Sequence, residues 1–409
     1  MILDFINRDS LLLDTYNFDS NFFWGMSSSD YNINQKKEKP ILLNTQHQFE
    51  KTDVSFYKSE LEKYKLDIEL LKQSGISNFR FSLSWSRIMP DGIGKINTEA
   101  INFYNDILSI CSENNIEPFV TLFDSCLPEA LENKGGWSNR EMLVWFENYV
   151  TICVTNFKDK VKFWIVLSDI SVFTGATIFL RKFSIGKNGA NTFLSAMHHA
   201  LICQSIGFKT IKKYSKNTEI GIFLSGHYII SNTYSEKDLK AAERIDALLN
   251  KAFIEPSLGM GYPIDKLPFF KNLSKFIIKG DNDLIKVDFD FIGLQNCTRE
   301  IVYHDSFIPF LNAKILHEDK VKNTNLNFQV YDELIYLIIK KYSDYEGVKK
   351  IVIVENLVAN FDYLDLKGTI SNTKKNYIAS FLLQIFNATQ HGGKLQGCFV
   401  SRLNEFDSA

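Results

Sequence analysis

Eight short apolar runs, each followed by a polar turn and then by an amphipathic stretch, constrain this chain more than any other feature. The runs span 22–26, 79–83, 118–122, 163–167, 220–224, 291–294, 350–354 and 397–401. Between most of them apolar residues recur at helical spacing. Leu66, Ile68, Leu70 and Leu71 precede the stop at Gly75, Ile101, Tyr104, Ile107, Leu108 and Cys111 line 98–114, and Tyr377, Phe381, Leu382 and Ile385 line 375–389. Strands that alternate with helices pair in parallel, because parallel neighbours need crossover connections. Eight such units close into a (β/α)8 TIM barrel of the α/β class, which leaves no exposed sheet edge. No Pro/Gly/Ser-rich linker or charge run divides the chain, and only 34–52 and 323–327 read as extended polar loops, so 1–409 reads as one barrel domain.

Charge and cysteine usage narrow the function classes. With 46 basic against 48 acidic residues the formal net charge is −2, which supplies no field to draw a nucleic acid or an anionic membrane surface. The apolar runs are far too short to span a bilayer. Cys111, Cys126, Cys153, Cys203, Cys297 and Cys398 are scattered without a CxxC pair, so neither a metal site nor a disulfide framework is expected, and no cofactor is implied. The start of the chain has Asp4 early and Arg8 as its one basic residue, without a basic stretch leading into an apolar one. That pattern carries no secretory signal, and the cytoplasm is the expected compartment.

In a barrel of this kind chemistry sits at the C-terminal ends of the strands. Arg80 lies inside the second run, Asp124, Ser125 and Cys126 follow the third, and Ser168 and Asp169 the fourth. Gln295, Asn296 and Cys297 follow the sixth, Glu355 and Asn356 the seventh, and Asn404, Glu405 and Asp407 the eighth. Asp169 and Glu355 each follow an uninterrupted apolar strand. Two carboxylates across a barrel mouth suit glycoside hydrolysis, where one protonates the leaving oxygen and the other attacks or activates water. Taken alone, strand-end acids read first as solvated positions, and Arg80 is also compatible with a barrel arginine paired to a neighbouring acid.

Longer motifs point the same way. The residues Phe79-Arg80-Phe81-Ser82-Leu83-Ser84-Trp85-Ser86-Arg87-Ile88, Glu117-Pro118-Phe119-Val120-Thr121-Leu122, Leu127-Pro128, Gly135-Gly136-Trp137 and Val161-Lys162-Phe163-Trp164 resemble glycoside hydrolase family 1, the β-glucosidase family. Phe22-Phe23-Trp24-Gly25, His198-His199, Gly261-Tyr262-Pro263, Asp290-Phe291-Ile292-Gly293-Leu294 and Val354-Glu355-Asn356 match further pieces in the same order. The resemblance covers nearly the whole chain and implies the (β/α)8 fold.

Carried over residue by residue, the resemblance implies that Glu355 stands at the nucleophile and Arg80 at the arginine that holds it. Asp169 stands for the acid/base glutamate, Ser168 for an asparagine on the sugar's 2-hydroxyl, and Ile170 for a proline. Asn32 takes the place of a sugar-binding glutamine, Asp124 and Ser125 of a histidine and a tryptophan, and Cys297 of a tyrosine on the nucleophile. Leu357 replaces a glycine, and Asp407 and Ser408 a glutamate and a tryptophan. Several polar arms are thereby one methylene shorter, which moves a hydrogen-bonding atom by roughly a bond length, enough to break a bond that needs about 2.7–3.2 Å. The expected pocket is larger and of altered polarity, suited to a charged, amino or otherwise modified sugar, with Gln295 and Asn296 beside it.

The resemblance further implies that the chain lacks the family's closing helix. Either the segment 2–13 or a second copy in a homo-oligomer is expected to cover that barrel edge. Three functions fit these residues: a β-glycosidase or transglycosidase with Glu355 as nucleophile and Asp169 as proton donor, a barrel that binds a small carbohydrate or a partner protein without chemistry, and a biosynthetic enzyme that transfers a glycosyl unit.

Overall fold

The computed structural model describes residues 18–28, 54–124, 126–176, 186–316, 334–355 and 372–401. The eight expected strands all form: β1 (Phe23–Ser28), β2 (Asn78–Ser82), β3 (Glu117–Phe123), β4 (Phe163–Ser168), β5 (Glu219–Ser231), β6 (Phe291–Tyr303), β8 (Ile351–Glu355) and β9 (Leu395–Ser401), with a short β7 (Lys314–Ile315) on the side of β6. Each of the eight pairs in parallel with its neighbours, and the pairing of β5 with β6 and of β9 with β1 closes the ring. This is the (β/α)8 barrel that the alternation of strand and helix implies. The segment 2–13 and the polar loops 34–52 and 323–327 lie outside the described residues.

Helices wrap the barrel between strands. They include α1 (Val54–Gln73), α2 (Thr98–Glu113), α3 (Met142–Phe157), α5 (Gly186–Tyr214), α6 (Glu236–Asp246), α7 (Leu334–Ser343) and α8 (Asn372–Gln390), with a one-turn α4 (Ile170–Phe173) at the mouth. Asn97 caps α2, its side-chain oxygen accepting from the amides of Glu99 and Ala100. Gly75, with φ +70°, ends the turn after α1, the stop that its position predicts. In contrast, α1 begins ten residues before the expected Tyr64, since polar residues on its outer face mask the early turns.

The sequence understates two strands. β5 and β6 run for 13 residues each, far past Leu224 and Leu294. The polar pairs Ser225-Gly226 and Gln295-Asn296 read as strand ends but form a bulge. Ser225 pairs with Gln295 and His227 with Thr298, so Asn296 and Cys297 face the single Gly226. The ladder then resumes through Ser231 and Val302.

The barrel interior is filled with phenylalanine. Phe119, Phe223 and Phe399 are buried there with Ile165, Phe291, Val352 and Val354, and Phe23 and Phe163 pack against them. Phe119 stacks on Phe163 at 4.2 Å and 7°, and meets Phe399 edge-on at 4.9 Å. Rings this large fit because glycine stands opposite them. In register Phe23 faces Gly397, Gly25 faces Phe399, Gly221 faces Phe291 and Phe223 faces Gly293. A Cβ on Gly293 would sit 2.0 Å from the Phe223 ring, and one on Gly25 2.3 Å from Phe399.

Overpacking a filled core costs about 1–3 kcal/mol or more. Gly293→Ala is therefore expected to lower the unfolding free energy by at least that amount in urea titrations. Phe223→Leu in the same chain should recover part of the loss, giving a coupling energy of roughly 0.5–3 kcal/mol. Strictly additive effects would show that the two side chains do not compete for this space.

Candidate active site

At the mouth β4 carries an extra residue between Ile165 and Ser168, and the chain turns through Asp169 at φ 54° and ψ 59°. Aspartate is among the few side chains that tolerate this left-handed conformation. The Asp169 amide donates to the Phe223 carbonyl at 2.9 Å, and α4 starts directly after it. The turn buries the carboxylate in the wall of the mouth. Ser171 donates to its Oδ1 at 2.8 Å, while Ser225 of β5 at 2.8 Å and the Gln295 amide of β6 at 3.3 Å donate to Oδ2.

Arg80 crosses the mouth from β2 with 3% exposure. Its Nε donates to Thr121 at 3.1 Å, Nη1 to Ser27 at 2.9 Å and Nη2 to Ser168 at 3.3 Å. The guanidinium lies 4.7 Å from the centroid of the Phe223 ring, and the Asp124 carboxylate lies 3.6 Å from Nη2. Burial pulls the Arg80 pKa down, and the charge of Asp124 opposes that pull. Asp124 also accepts from Ser82 at 2.9 Å, and Ser168 donates onward to Gln295 at 3.4 Å.

Arg80, Asp124, Ser168, Asp169 and Gln295, each singled out in the sequence, thus belong to one connected network. Cys297 lies in the β5–β6 bulge. The bulge sets its side chain with the outer hydrophobic core, its sulfur 3.2 Å from where a Gly226 Cβ would sit, beside Ile338 of α7. Glu355 ends β8 in register with Val400, and Val354 before it pairs with Gln295. The side chains of Glu355 and Asn296, and Asn32, Ser125 and Asp407 altogether, lie outside the described residues. Ser225 is a site residue that sequence reasoning passed over. It directly follows the fifth apolar run, where the rule applied to the other strands would have found it. Ser27 and Thr121 gave no signal, being hydroxyls inside strands.

Glycosyl hydrolase family 1 matches residues 14–408 of this chain. The chain belongs to that family. β-Glucosidase A of Thermotoga maritima is 29% identical over 408 residues, covering 96% of this chain and 90% of the relative. β-Glucosidase A of Acetivibrio thermocellus is 30% identical over 353 residues, covering 85% and 79%. The 6-phospho-β-glucosidase GmuD of Bacillus subtilis is 26% identical, covering 94% and 88%. A solved structure of the Thermotoga maritima β-glucosidase in complex with deoxynojirimycin superimposes with a TM-score of 0.79 at 27% identity, covering 94% of this chain and 89% of that one.

In this family 1 hydrolase the motifs read from sequence meet behind the network. Trp137 of the Gly135-Gly136-Trp137 motif packs at 5.1 Å on Phe123, which precedes Asp124, and at 4.7 Å on Phe173, which ends α4. Its carbonyl accepts from His199 Nδ1 at 3.0 Å. The Asp281 carboxylate can only accept, so the neighbouring His198 donates to it from Nε2 at 2.9 Å, and its Nδ1, 2.8 Å from the Tyr262 hydroxyl, accepts from it in the neutral form that burial favours. Arg140 grips the same Asp281 with two bonds of 2.6 and 2.9 Å. His227, just past the bulge, bonds Thr298 at 2.8 Å. Among the described residues, no cluster of His, Cys, Asp and Glu could hold a metal ion, and no helix is long and apolar enough to cross a membrane.

Burial lowers His199 and His227 to about 4, against an ordinary 6.5. Between those values the unfolded chain binds protons that the folded one does not. Their contribution to stability is complete above the ordinary histidine pKa and is lost as pH falls through the folded one. Unfolding free energy is therefore expected to decline across this window. In a His199→Gln/His227→Gln variant the slope should be shallower by up to about two protons, each worth roughly 1.4 kcal/mol per pH unit. An unchanged slope in that variant would exclude these imidazoles as its source.

Proposed function

We propose that this family 1 hydrolase is a β-glycosidase or transglycosidase acting on a modified β-glycoside, with Glu355 as nucleophile and Asp169 as proton donor. The observation that carries the reading is the bridge made by Gln295. Its amide donates to Asp169 at the end of β4, and its strand partner Val354 immediately precedes Glu355 at the end of β8. The two carboxyl-bearing strand ends thus flank the short stretch of wall made by β5 and β6. In the reaction Glu355 attacks the anomeric carbon as Asp169 protonates the departing oxygen. Water, or an acceptor hydroxyl in transfer, then releases the sugar from Glu355 with Asp169 taking up the proton.

A second reading, sugar binding with little chemistry, draws on the same aspartate. Both of its oxygens accept from protein donors, Ser171 on one side and Ser225 with Gln295 on the other. Hydrogen bonds to the ionised carboxylate favour that form, so they oppose the protonated state that a proton donor needs. Aspartate is also one methylene shorter than glutamate, which widens the gap by roughly a bond length from the 5–5.5 Å of retaining enzymes toward the 6.5–9.5 Å of inverting ones. On the glycosidase reading proton donation is then weak, and that reading expects retention with Glu355 as nucleophile.

Covalent labelling tests the nucleophile. A panel of 2-fluoro-β-glycosides with good leaving groups should add one sugar mass to the intact chain, and Glu355→Gln should abolish both label and turnover while leaving the thermal midpoint within a few degrees. Activity that survives this substitution removes Glu355 from the mechanism. Leaving-group dependence tests Asp169. Activated aryl glycosides should be cleaved well and alkyl glycosides poorly, and Asp169→Glu should raise the rate on the alkyl ones. Equal rates on both classes, or an Asp169→Ala variant as active as the parent, would remove Asp169 as the proton donor.

A further inference from the structure

The charged groups of the mouth are unevenly open to a ligand. Arg80 is buried and aims its N–H groups at the hydroxyls of Ser27, Thr121 and Ser168 within the wall. Asp169 is buried too, and both of its oxygens accept from protein donors. Asp124 differs. It follows β3 at the rim with its side chain 17% exposed, and both the Ser82 hydroxyl and the Arg80 guanidinium approach the same oxygen, Oδ2. Among the described residues Oδ1 accepts no hydrogen bond. An open carboxylate oxygen in a half-buried site is a strong acceptor for a charged donor.

The sum of charge points the same way. Among the described residues of the network, one guanidinium stands against the carboxylates of Asp124 and Asp169, and the sequence adds a third acid, Glu355, at the end of β8. A phosphorylated sugar would meet these acids, with the arginine already directed into the wall. A cationic sugar gains from the same acids.

We infer that the mouth selects a β-glycoside whose sugar ring carries a protonated amine, and that Asp124 Oδ1 receives the ammonium group. The inference deepens the glycosidase reading and rests on it for the site. Asp124 is the specificity-determining residue, and a neutral or phosphorylated sugar is the disfavoured substrate.

Rates and affinities on one panel test it. 4-Nitrophenyl β-glucoside is compared with its 2-, 3-, 4- and 6-amino-deoxy analogues and its 6-phosphate, and non-hydrolysable ethyl 1-thio-β-glycosides of the same sugars are titrated calorimetrically. At least one amino sugar is expected to exceed the parent glucoside about tenfold in kcat/KM or affinity, the gain of one charge-assisted hydrogen bond. Asp124→Asn should erase that ratio, and Asp124→Glu, which keeps the charge, should retain its direction. In the unmodified chain the ratio should also shrink with rising ionic strength, a measurement that does not depend on how the variants fold. Preference for the neutral or phosphorylated sugar overturns the inference, as does an amine preference that survives Asp124→Asn or salt, or a failure to bind any sugar of the panel. Amine-selective binding without turnover or covalent label would sustain it and overturn the glycosidase reading.

Discussion

A guanidinium in the mouth of a barrel is the constraint around which the rest of this protein is arranged. Arg80 has almost no contact with solvent, so each of its donors must find an acceptor or the buried charge becomes prohibitive. The acceptors come from three strands: Ser27 on β1, Thr121 on β3 with the Asp124 carboxylate just past its end, and Ser168 on β4. Below it the face of Phe223 offers a ring to the cation, and that ring belongs to the interior aromatic layer. Loss of any of these strands' positions would leave the charge unpaired, so the mouth and the barrel core are coupled through one side chain.

The same arrangement explains the altered acid. Asp169 can occupy its left-handed turn because β4 gains a residue just before it, and the turn is tied to β5 by the amide bond to Phe223. Ser225 and Gln295 reach its carboxylate because the β5–β6 bulge begins only after them. A shorter acid thus brings its own set of supporting donors. Those donors immobilise the group, which favours a fixed geometry over ready proton transfer.

Much of the architecture was legible from residue order. Period and length identified eight strands because buried parallel strands are apolar runs, and helical spacing with the stop at Gly75 marked the end of α1. Reading strand ends found Arg80, Asp124, Ser168, Asp169 and Gln295, which the fold joins. What stayed hidden has physical causes. A bulge looks like a strand end, since both are written in Gly and polar residues, so the extensions of β5 and β6 and the turning of Cys297 toward α7 could not be seen. Hydroxyls such as Ser27 and Thr121 serve Arg80 only through register, which depends on pairing between distant segments. The glycines of the interior were visible as residues, but their purpose depends on which phenylalanine lies opposite.

That opposition bears on how the ring closes. The two glycine–phenylalanine pairs at β9 and β1 join segments nearly a whole chain apart, and those at β5 and β6 lie on the far side of the ring. A slip of two residues at either seam would keep every side chain on its proper face, so hydrophobic patterning alone does not forbid it. Here a slip in one direction would set ring against ring, a clash, and a slip in the other would set glycine against glycine, a void. Side-chain size therefore discriminates the correct shear of the barrel from its nearest competitor. It does so at the seam whose formation carries the largest loop-closure entropy, where an error in alignment would be slowest to undo.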